Sequence, residues 1–373
     1  MKNDSQTFFQ IEELKKALPN NYNDFDSVLE YQYETLKSGN KSVSYTEALR
    51  NLMGVYPADF INFLLNDKKE KGTFIVFDES FKEPEDNTLW KDEFSLPAQL
   101  ANYEWRYTNK SAEQIVKYIC QYNKIGCLGT PSIVLKLVEI DKANKETILF
   151  DINKLLIKKI KAKCLKIQGI DCIDYDVIDE VPSDYKDYFD IISVNPPWYY
   201  DYYELFIFRA LQMLKKSNKE ILVPLFPLLS KHNAIKETIQ LFNFLENLGC
   251  NKIESLGFVE FEMPLFEKNA LEEKGIPIPL SHWRKAELVK LSFSSTQTFE
   301  KNIIVNIGDH IKWESKLTES NTLFLFNEKC FDDTNTNCVF KKERINDISR
   351  KSIDRKRIIL WNVNNNEVIL KLE

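Results

Sequence analysis

The chain has 373 residues, 43% of them hydrophobic and 13% aromatic, which suffices for two folded units and is too apolar for an intrinsically disordered chain or a small disulfide scaffold. Its 56 acids against 50 bases leave a net charge of −6, which excludes coating DNA or an anionic membrane through bulk charge while leaving local basic patches open. Seven cysteines without a CxxC pair fit reduced cytosolic thiols, and the three widely spaced histidines, His232, His282 and His310, argue against a His-rich metal centre.

The opening residues, MKNDSQTFFQ, lack the apolar core of a secretory signal. No run approaches the roughly 18 apolar residues of a membrane span, so a cytoplasmic protein without membrane partners is expected. In the first hundred residues the clearest helical pattern covers 44–65, and Pro57 should break it in two. The run Gly72-Thr-Phe-Ile-Val-Phe77 reads as a strand. Helix, helix, strand is the order of a winged-helix module, often a nucleic-acid or dimerisation unit; a small α+β cap over an active site fits the same order. The N-terminal module is placed at 1–103.

From about residue 104 short apolar runs alternate with helical stretches, the rhythm of a mostly parallel sheet. Strands are predicted at 125–128, 147–150, 172–175, 189–194, 220–225, 252–260 and 286–293. Helices are predicted at 111–122, 133–140, 154–163, 202–215 and 234–248. The last two strands lack a helical pattern between them, so the expected fold is α/β, a doubly wound seven-stranded Rossmann-like sheet closed by an antiparallel hairpin, over 104–299. Residues 300–373 look β-rich and polar, with NTLFLF and RIILW as strands. The segment 341–357 carries eight bases and three acids. It reads as a solvated face or connector, or as a phosphate-contacting patch.

The strongest chemical signal is Asn195-Pro196-Pro197-Trp198, directly after the apolar run FDIISV. A strand that runs into two prolines makes a rigid turn at its carboxyl end, where open α/β sheets bind ligands. The Asn195 side-chain oxygen and the Pro196 carbonyl then offer two acceptors to one planar NH2 group, and Trp198 offers a face on which a ring can stack. A cofactor site is expected at the ends of the first two strands. In Cys127-Leu-Gly129-Thr130-Pro131-Ser132, Thr130 is a natural helix N-cap, Pro131 suits the first helical position and Gly129 permits close backbone approach. Asp151, followed by Ile152, ends the second strand 22 residues after Gly129, a placement suited to ribose hydroxyls. Capping the next helix is the other role open to Asp151. After the third strand stands Asp176, with Asp174 competing, at the position where Rossmann-like transferase folds hold the adenine amino group of a cofactor.

The Asn-Pro-Pro-Trp constellation resembles the (Asp/Asn/Ser)-Pro-Pro-(Tyr/Phe/Trp) motif of class I S-adenosylmethionine-dependent methyltransferases acting on exocyclic amino groups of adenine or cytosine, or on side-chain amides. The resemblance implies S-adenosyl-L-methionine as cofactor, no metal, and DNA or RNA adenine as acceptor. It also implies that Arg106-Tyr107-Thr108 closes over the methionine end of the cofactor, although the usual Pro after Thr is missing. Over more of the chain, from Arg106-Tyr107-Thr108 to the helix FIFRALQMLKK, the sequence looks like the branched-chain polyamine synthases. Their domain order implies an aminopropyltransferase with a small-molecule polyamine as the alternative. A catalytically degenerate subunit that binds nucleic acid or a partner is the rival outside enzymes. The sequence departs from the synthases at Gly129-Thr130-Pro131-Ser132, where they carry Gly-Asp-Asp-Asp, and at Asn195, where they carry Asp, which removes acids that would hold a polycation. Tyr199, Tyr200, Tyr202, Tyr203 and Glu204 either line an acceptor pocket or pack on the sheet edge. The stretch 262–284 is a candidate lid, with Arg284 set to grip an anion or pair with a surface acid. His232 receives no catalytic role.

Overall fold

The computed structural model describes residues 2–66, 74–77, 105–140, 145–165, 167–217, 219–279, 282–294, 313–319, 322–327, 339–344 and 357–372. The N-terminal part runs β1 (Lys2–Asn3), α1 (Gln6–Ala17), α2 (Phe25–Gly39), β2 (Val43–Ser44), α3 (Tyr45–Asn51), α4 (Pro57–Asn66) and β3 (Ile75–Val76). Pro57 breaks the 44–65 pattern as its chemistry requires and stands at the first position of α4. Helix, helix, strand follows in the expected order, and β3 pairs parallel with β2.

The turn between α3 and α4 contains Gly54, at φ 76°. A Cβ there would sit 2.5 Å from the Pro227 side chain, so glycine is required by both backbone and contact. The adjacent Met53 carbonyl accepts from the Leu229 N–H at 2.9 Å. This turn is one of the points where the N-terminal helices dock on the sheet that follows.

That sheet is built from α5 (Asn109–Ile119), β4 (Lys124–Leu128), α6 (Pro131–Glu139), β5 (Glu146–Asp151), α7 (Lys154–Cys164), β6 (Ile170–Asp174), β7 (Ile191–Val194), α8 (Tyr200–Met213), β8 (Lys219–Leu225), α9 (Ala234–Asn247), β9 (Cys250–Glu260), α10 (Leu265–Glu273) and β10 (Lys285–Phe293). The strand order is β1-β9-β10-β8-β7-β4-β5-β6. β10 lies antiparallel between β8 and β9, while the other pairings are parallel. The seven predicted strands are all present, and β1 adds an eighth at the edge of β9. The predicted hairpin is interrupted by α10.

Both faces of the parallel strands are covered, which explains their nearly continuous apolar runs. Successive residues alternate between faces: Leu128, Ile192, Val194, Ile221 and Val223 meet α8, α9 and the N-terminal helices. Ile125, Cys127, Leu149, Ile191 and Leu222 meet α5, α6 and α7 on the other face.

The C-terminal part forms a separate antiparallel sheet of β11 (Trp313–Leu317), β12 (Leu323–Asn327), β13 (Val339–Arg344), β14 (Ile358–Asn362) and β15 (Glu367–Leu372), in the order β11-β12-β14-β15-β13. NTLFLF and RIILW supply β12 and β14. Of the basic run, Lys341, Lys342 and Arg344 are ion-paired with Glu343, Glu367 and Glu273, and residues 345–356 lie outside the described residues. Among the described residues no helix is long and apolar enough to cross a membrane.

Asp190 ties the amino ends of β4 and β7 to the end of α8. Its carboxylate accepts from the backbone N–H of Asn123 (3.2 Å) and Lys124 (2.8 Å) and from Lys215 Nζ (2.6 Å). Burial alone would raise its pKa; the Lys215 and backbone hydrogen bonds outweigh burial and hold it below the ordinary carboxylate range. A carboxyl depressed in the folded state stabilises fully above its unfolded pKa of about 3.9, and loses that contribution as pH falls through the folded value. Asp190→Asn is expected to cost about 1–2 kcal/mol at pH 7. Thermal melts of both proteins between pH 7 and pH 3 check this, and a deficit that does not shrink below about pH 4 contradicts it.

Candidate active site

The chain passes from β4 to β5 and β6 on one side, then crosses to β7 on the other, so the topological switch lies between β4 and β7. Register brings the sequence-predicted residues to one edge. Leu128 pairs with Phe150 and with Val194, so Gly129, Asp151 and Asn195 are the next residues on three adjacent strands. The Gly129 N–H donates to the Phe150 carbonyl at 2.8 Å, and the Asn195 N–H donates to the Leu128 carbonyl at 3.2 Å. Gly129 has φ 65°, and a Cβ on it would meet the Phe206 ring at 3.3 Å and the Asn195 carbonyl at 3.5 Å.

Asn195 is half-buried, and its Nδ2 donates to the Trp105 carbonyl at 2.9 Å. With Nδ2 committed, Oδ1 is the end of the amide that can accept from a ligand. Pro196 and Pro197 are buried. The Pro197 carbonyl accepts from the Tyr199 N–H at 2.7 Å, whereas among the described residues no hydrogen bond reaches the Pro196 carbonyl. Trp198 stands edge-on to Phe261 at 5.6 Å. Its carbonyl accepts from Lys231 Nζ at 2.5 Å, and Lys231 is held in turn by Glu237, whose carboxylate also takes the Tyr200 N–H at 3.0 Å. The turn is therefore gripped on both sides, by Trp105 before α5 and by the Lys231–Glu237 pair after β8.

The cofactor-side expectations divide. Asp151 does not cap α7: Asn153 does, accepting from the Leu156 N–H at 3.1 Å, while Asp151 Oδ1 takes the Asn153 N–H at 2.8 Å. Asp151 and Ile152 stay half-buried at the strand end. Asp176 is half-buried and Asp174 exposed, with Lys154 3.9 Å from Asp174. Arg209 of α8 fixes the loop after Asp176, donating to the carbonyls of Val177 (3.1 Å) and Ile178 (3.0 Å). Thr130 occupies the N-cap position of α6, but its side chain makes no capping bond, because φ −124° and ψ 58° are not the extended backbone a cap uses. Cys127 is enclosed in the core, where burial pushes its thiol up to about 12, so it can offer a ligand only its backbone.

Arg106-Tyr107-Thr108 lies against the end of β9. Tyr107 bridges to Phe261 and stacks on its ring at 5.0 Å, and both Tyr107 and Thr108 are buried. Thr108 caps α5, its hydroxyl accepting from the Ser111 N–H at 3.3 Å. The tyrosines after the motif mostly pack: Tyr203 is fully buried and donates to the Pro224 carbonyl at 2.5 Å. His232, in the connection after β8, packs on Phe25 of α2. Arg284 does pair with an acid, but with the fully buried Glu267 of α10 at 2.7 Å, not with a surface one. Its guanidinium lies 3.8 Å from the Trp105 ring centre and 5.0 Å from that of Trp198. Glu267, Trp105, Lys231 and Glu237 were not singled out in the sequence, and no local signal marks them, since each matters through a partner far along the chain.

Seven strands in this order, with one antiparallel strand near the edge and the ligand edge at the β4/β7 switch, define the fold of class I S-adenosylmethionine-dependent methyltransferases. Residues 99–252 match the family model described as "Probable N6-adenine methyltransferase". No curated protein matches the chain. The branched-chain polyamine synthase from Thermus thermophilus, solved with N4-aminopropylspermidine and 5′-methylthioadenosine, is similar over 81% of this chain and 96% of that chain, with 13% identity and a TM-score of 0.51. The C9 mutein of that synthase is similar over 79% and 96%, with 12% identity and a TM-score of 0.49.

The left-handed backbone at Gly129 makes a simple prediction. Gly129→Ala should destabilise the protein by about 1–2 kcal/mol, whereas Gly39→Ala, with nothing within 4 Å of its added Cβ, should be neutral or stabilising by up to about 1 kcal/mol. Urea denaturation of the two variants checks the contrast, and equal effects would refute it.

Proposed function

We propose that the protein is an S-adenosylmethionine-dependent N-methyltransferase acting on a planar amino nitrogen, with N6 of adenine in nucleic acid as the acceptor. The observation that carries this reading is the seating of Asn195-Pro196-Pro197-Trp198 at the carboxyl end of β7, in register with Gly129 and Asp151. The match of residues 99–252 supports the adenine acceptor.

The residues at the strand ends suit the cofactor. Gly129 exposes backbone at the switch point, and the Ser132 hydroxyl in the first turn of α6 is buried without a partner. Asp151 would accept from the ribose hydroxyls, Ile152 would give the adenine an apolar edge and Asp176 would meet its amino group, on a loop that Arg209 holds. Tyr107 and Thr108 would bound the methionine end through backbone, their side chains being engaged in the core. S-adenosylmethionine, when bound, supplies an electrophilic methyl group for in-line displacement. Asn195 Oδ1 and the Pro196 carbonyl accept from the acceptor NH2 and aim its lone pair, while Trp198 stacks on the ring. The buried prolines and the indole keep water from the reacting nitrogen.

The shared fold with the polyamine synthase keeps aminopropyl transfer as the competing reading. Against it stand Asn195 and the acid-free turn Gly129-Thr130-Pro131-Ser132, which supply no anionic wall for a polycation.

Calorimetry with S-adenosylmethionine, S-adenosylhomocysteine and decarboxylated S-adenosylmethionine separates the readings. The first two should bind, and Asp151→Ala should weaken them about ten- to hundredfold, the worth of a charged hydrogen-bond pair. Asn195→Ala should retain cofactor and lose methyl transfer to adenine-containing DNA or RNA. Preference for the decarboxylated compound would move the assignment to aminopropyl transfer, and no binding of any would leave a binding module on a transferase fold.

A further inference from the structure

We propose that Trp105, Trp198 and the Arg284–Glu267 pair form an acceptor-recognition subsite that takes an aminated heteroaromatic ring and rejects a flexible polycation. The proposal rests on the methyltransferase reading and deepens it.

The subsite is attached to the Asn-Pro-Pro turn on both sides. Trp198 follows Pro197 directly, and the Trp105 carbonyl holds the Asn195 amide. The Arg284 guanidinium lies against the Trp105 ring at 3.8 Å, with Trp198 at 5.0 Å and Trp283 at 4.8 Å. A planar cation on indole faces marks a place where planar groups stack.

The polar atoms of this cluster are incompletely used. Glu267 is 0% exposed, and one of its oxygens takes Arg284 Nη2 at 2.7 Å while Oε2 has no partner. Arg284 Nε and Trp283 Nε1 are also buried without partners. A buried polar atom left unsatisfied is costly, and these three sit on Arg284 and two side chains that it touches. Two N–H donors and one carboxylate acceptor complement the edge of a heterocycle that carries ring acceptors and an N–H donor.

Charge points the same way. The cluster holds one cation and one anion paired with each other, so an arriving polyamine meets a guanidinium and no net negative charge, with only the single oxygen Oε2 of Glu267 left to accept from it. A neutral ring pays no such repulsion and can stack on the guanidinium and the Trp198 indole. Placement of the cluster depends on α3 as well: Arg50 donates to the His282 carbonyl at 2.7 Å and pairs with Glu260, fixing the approach to Trp283 and Arg284.

The test uses the full-length protein saturated with S-adenosylhomocysteine, so that a nucleoside cannot enter the cofactor site. Adenosine and spermidine are titrated while tryptophan fluorescence is followed. Adenosine should quench it and bind at least tenfold more tightly than spermidine. Arg284→Ala should lose tenfold or more in adenosine affinity while S-adenosylhomocysteine affinity stays within twofold. Arg284→Lys, which keeps the charge and loses the planar fork, should recover little of it. Near-ultraviolet circular dichroism reports whether each variant keeps native packing, and the wild-type preference tests the idea even where a variant does not fold. Tighter binding of spermidine by the cofactor-loaded wild type, or an adenosine affinity unchanged in a folded Arg284→Ala, overturns the subsite and leaves the methyltransferase reading standing. A wild type that binds no S-adenosylhomocysteine overturns both.

Discussion

The two prolines after β7 set the terms for everything around them. A parallel strand in the middle of a sheet normally continues its ladder until the chain turns away. Here Asn195 makes the last bond, donating to Leu128, and the next two residues have no N–H to give. The ladder must stop at the switch point, and among the described residues the Pro196 carbonyl is left without a hydrogen bond. A turn of this kind is only as useful as its anchoring, because an undirected carbonyl would find water or a different donor. The anchoring comes from the Trp105 carbonyl on the Asn195 amide, and from Lys231 on the Trp198 carbonyl, itself braced by Glu237 and lying over the Tyr199 ring at 4.4 Å.

A second long-range interaction decides how the N-terminal helices sit. Glu287 on β10 is buried at 3% exposure and its carboxylate caps the start of α1, accepting from the Ser5 hydroxyl (2.9 Å), the Gln6 N–H (2.6 Å), the Thr7 N–H (2.7 Å) and the Thr7 hydroxyl (2.5 Å). A buried carboxylate is tolerated because four donors and the positive end of the helix replace its water. The chain just before this cap is then delivered to β9, where Lys2 and Asn3 pair as β1. The N-terminal segment thus shares strand, cap and core with the sheet, and the α3–α4 turn at Gly54 reaches the β8–α9 connection. Motion of the N-terminal helices would be transmitted to β10 and to the segment leading into it.

The central sheet was legible because its strands are buried on both faces, so burial is written locally as apolar runs such as IISV and TILF between helices of regular period. The motif residues were legible for the same reason: Asn195 and Asp151 stand at the ends of such runs, and position along a buried strand fixes position at the ligand edge. Elements with one wet face were harder. α1 has a polar exterior, and its cap comes from residue 287, so no local box announces it. α10 begins after Pro264 in a stretch where prolines and charges suggest a loop, and what makes it a helix of consequence is the burial of Glu267 and Phe266 against distant partners. Thr130 shows the limit of local chemistry in the other direction, since a good capping residue in a good place is turned aside by its backbone angles.

The proposed acceptor side is assembled from segments around residues 105, 198 and 267–284, and the C-terminal sheet explains how they stay together. Phe266 packs with Trp361, Leu323 and Leu370 of that sheet, with Trp105 and Leu155 at its margin. Asn366 donates to the Phe266 carbonyl at 2.9 Å, and Asn269 donates to the Asn364 carbonyl at 2.8 Å. These bonds pin α10 at two successive turns, and α10 carries the carboxylate that orients Arg284. Side-chain ordering of a long arginine over an indole is costly unless the partner acid is itself immobile. An α10 pinned in this way meets that requirement, so the small antiparallel sheet, distant in sequence from the strand ends at Gly129 and Asp151, bears on the proposed subsite by fixing the acid behind the guanidinium.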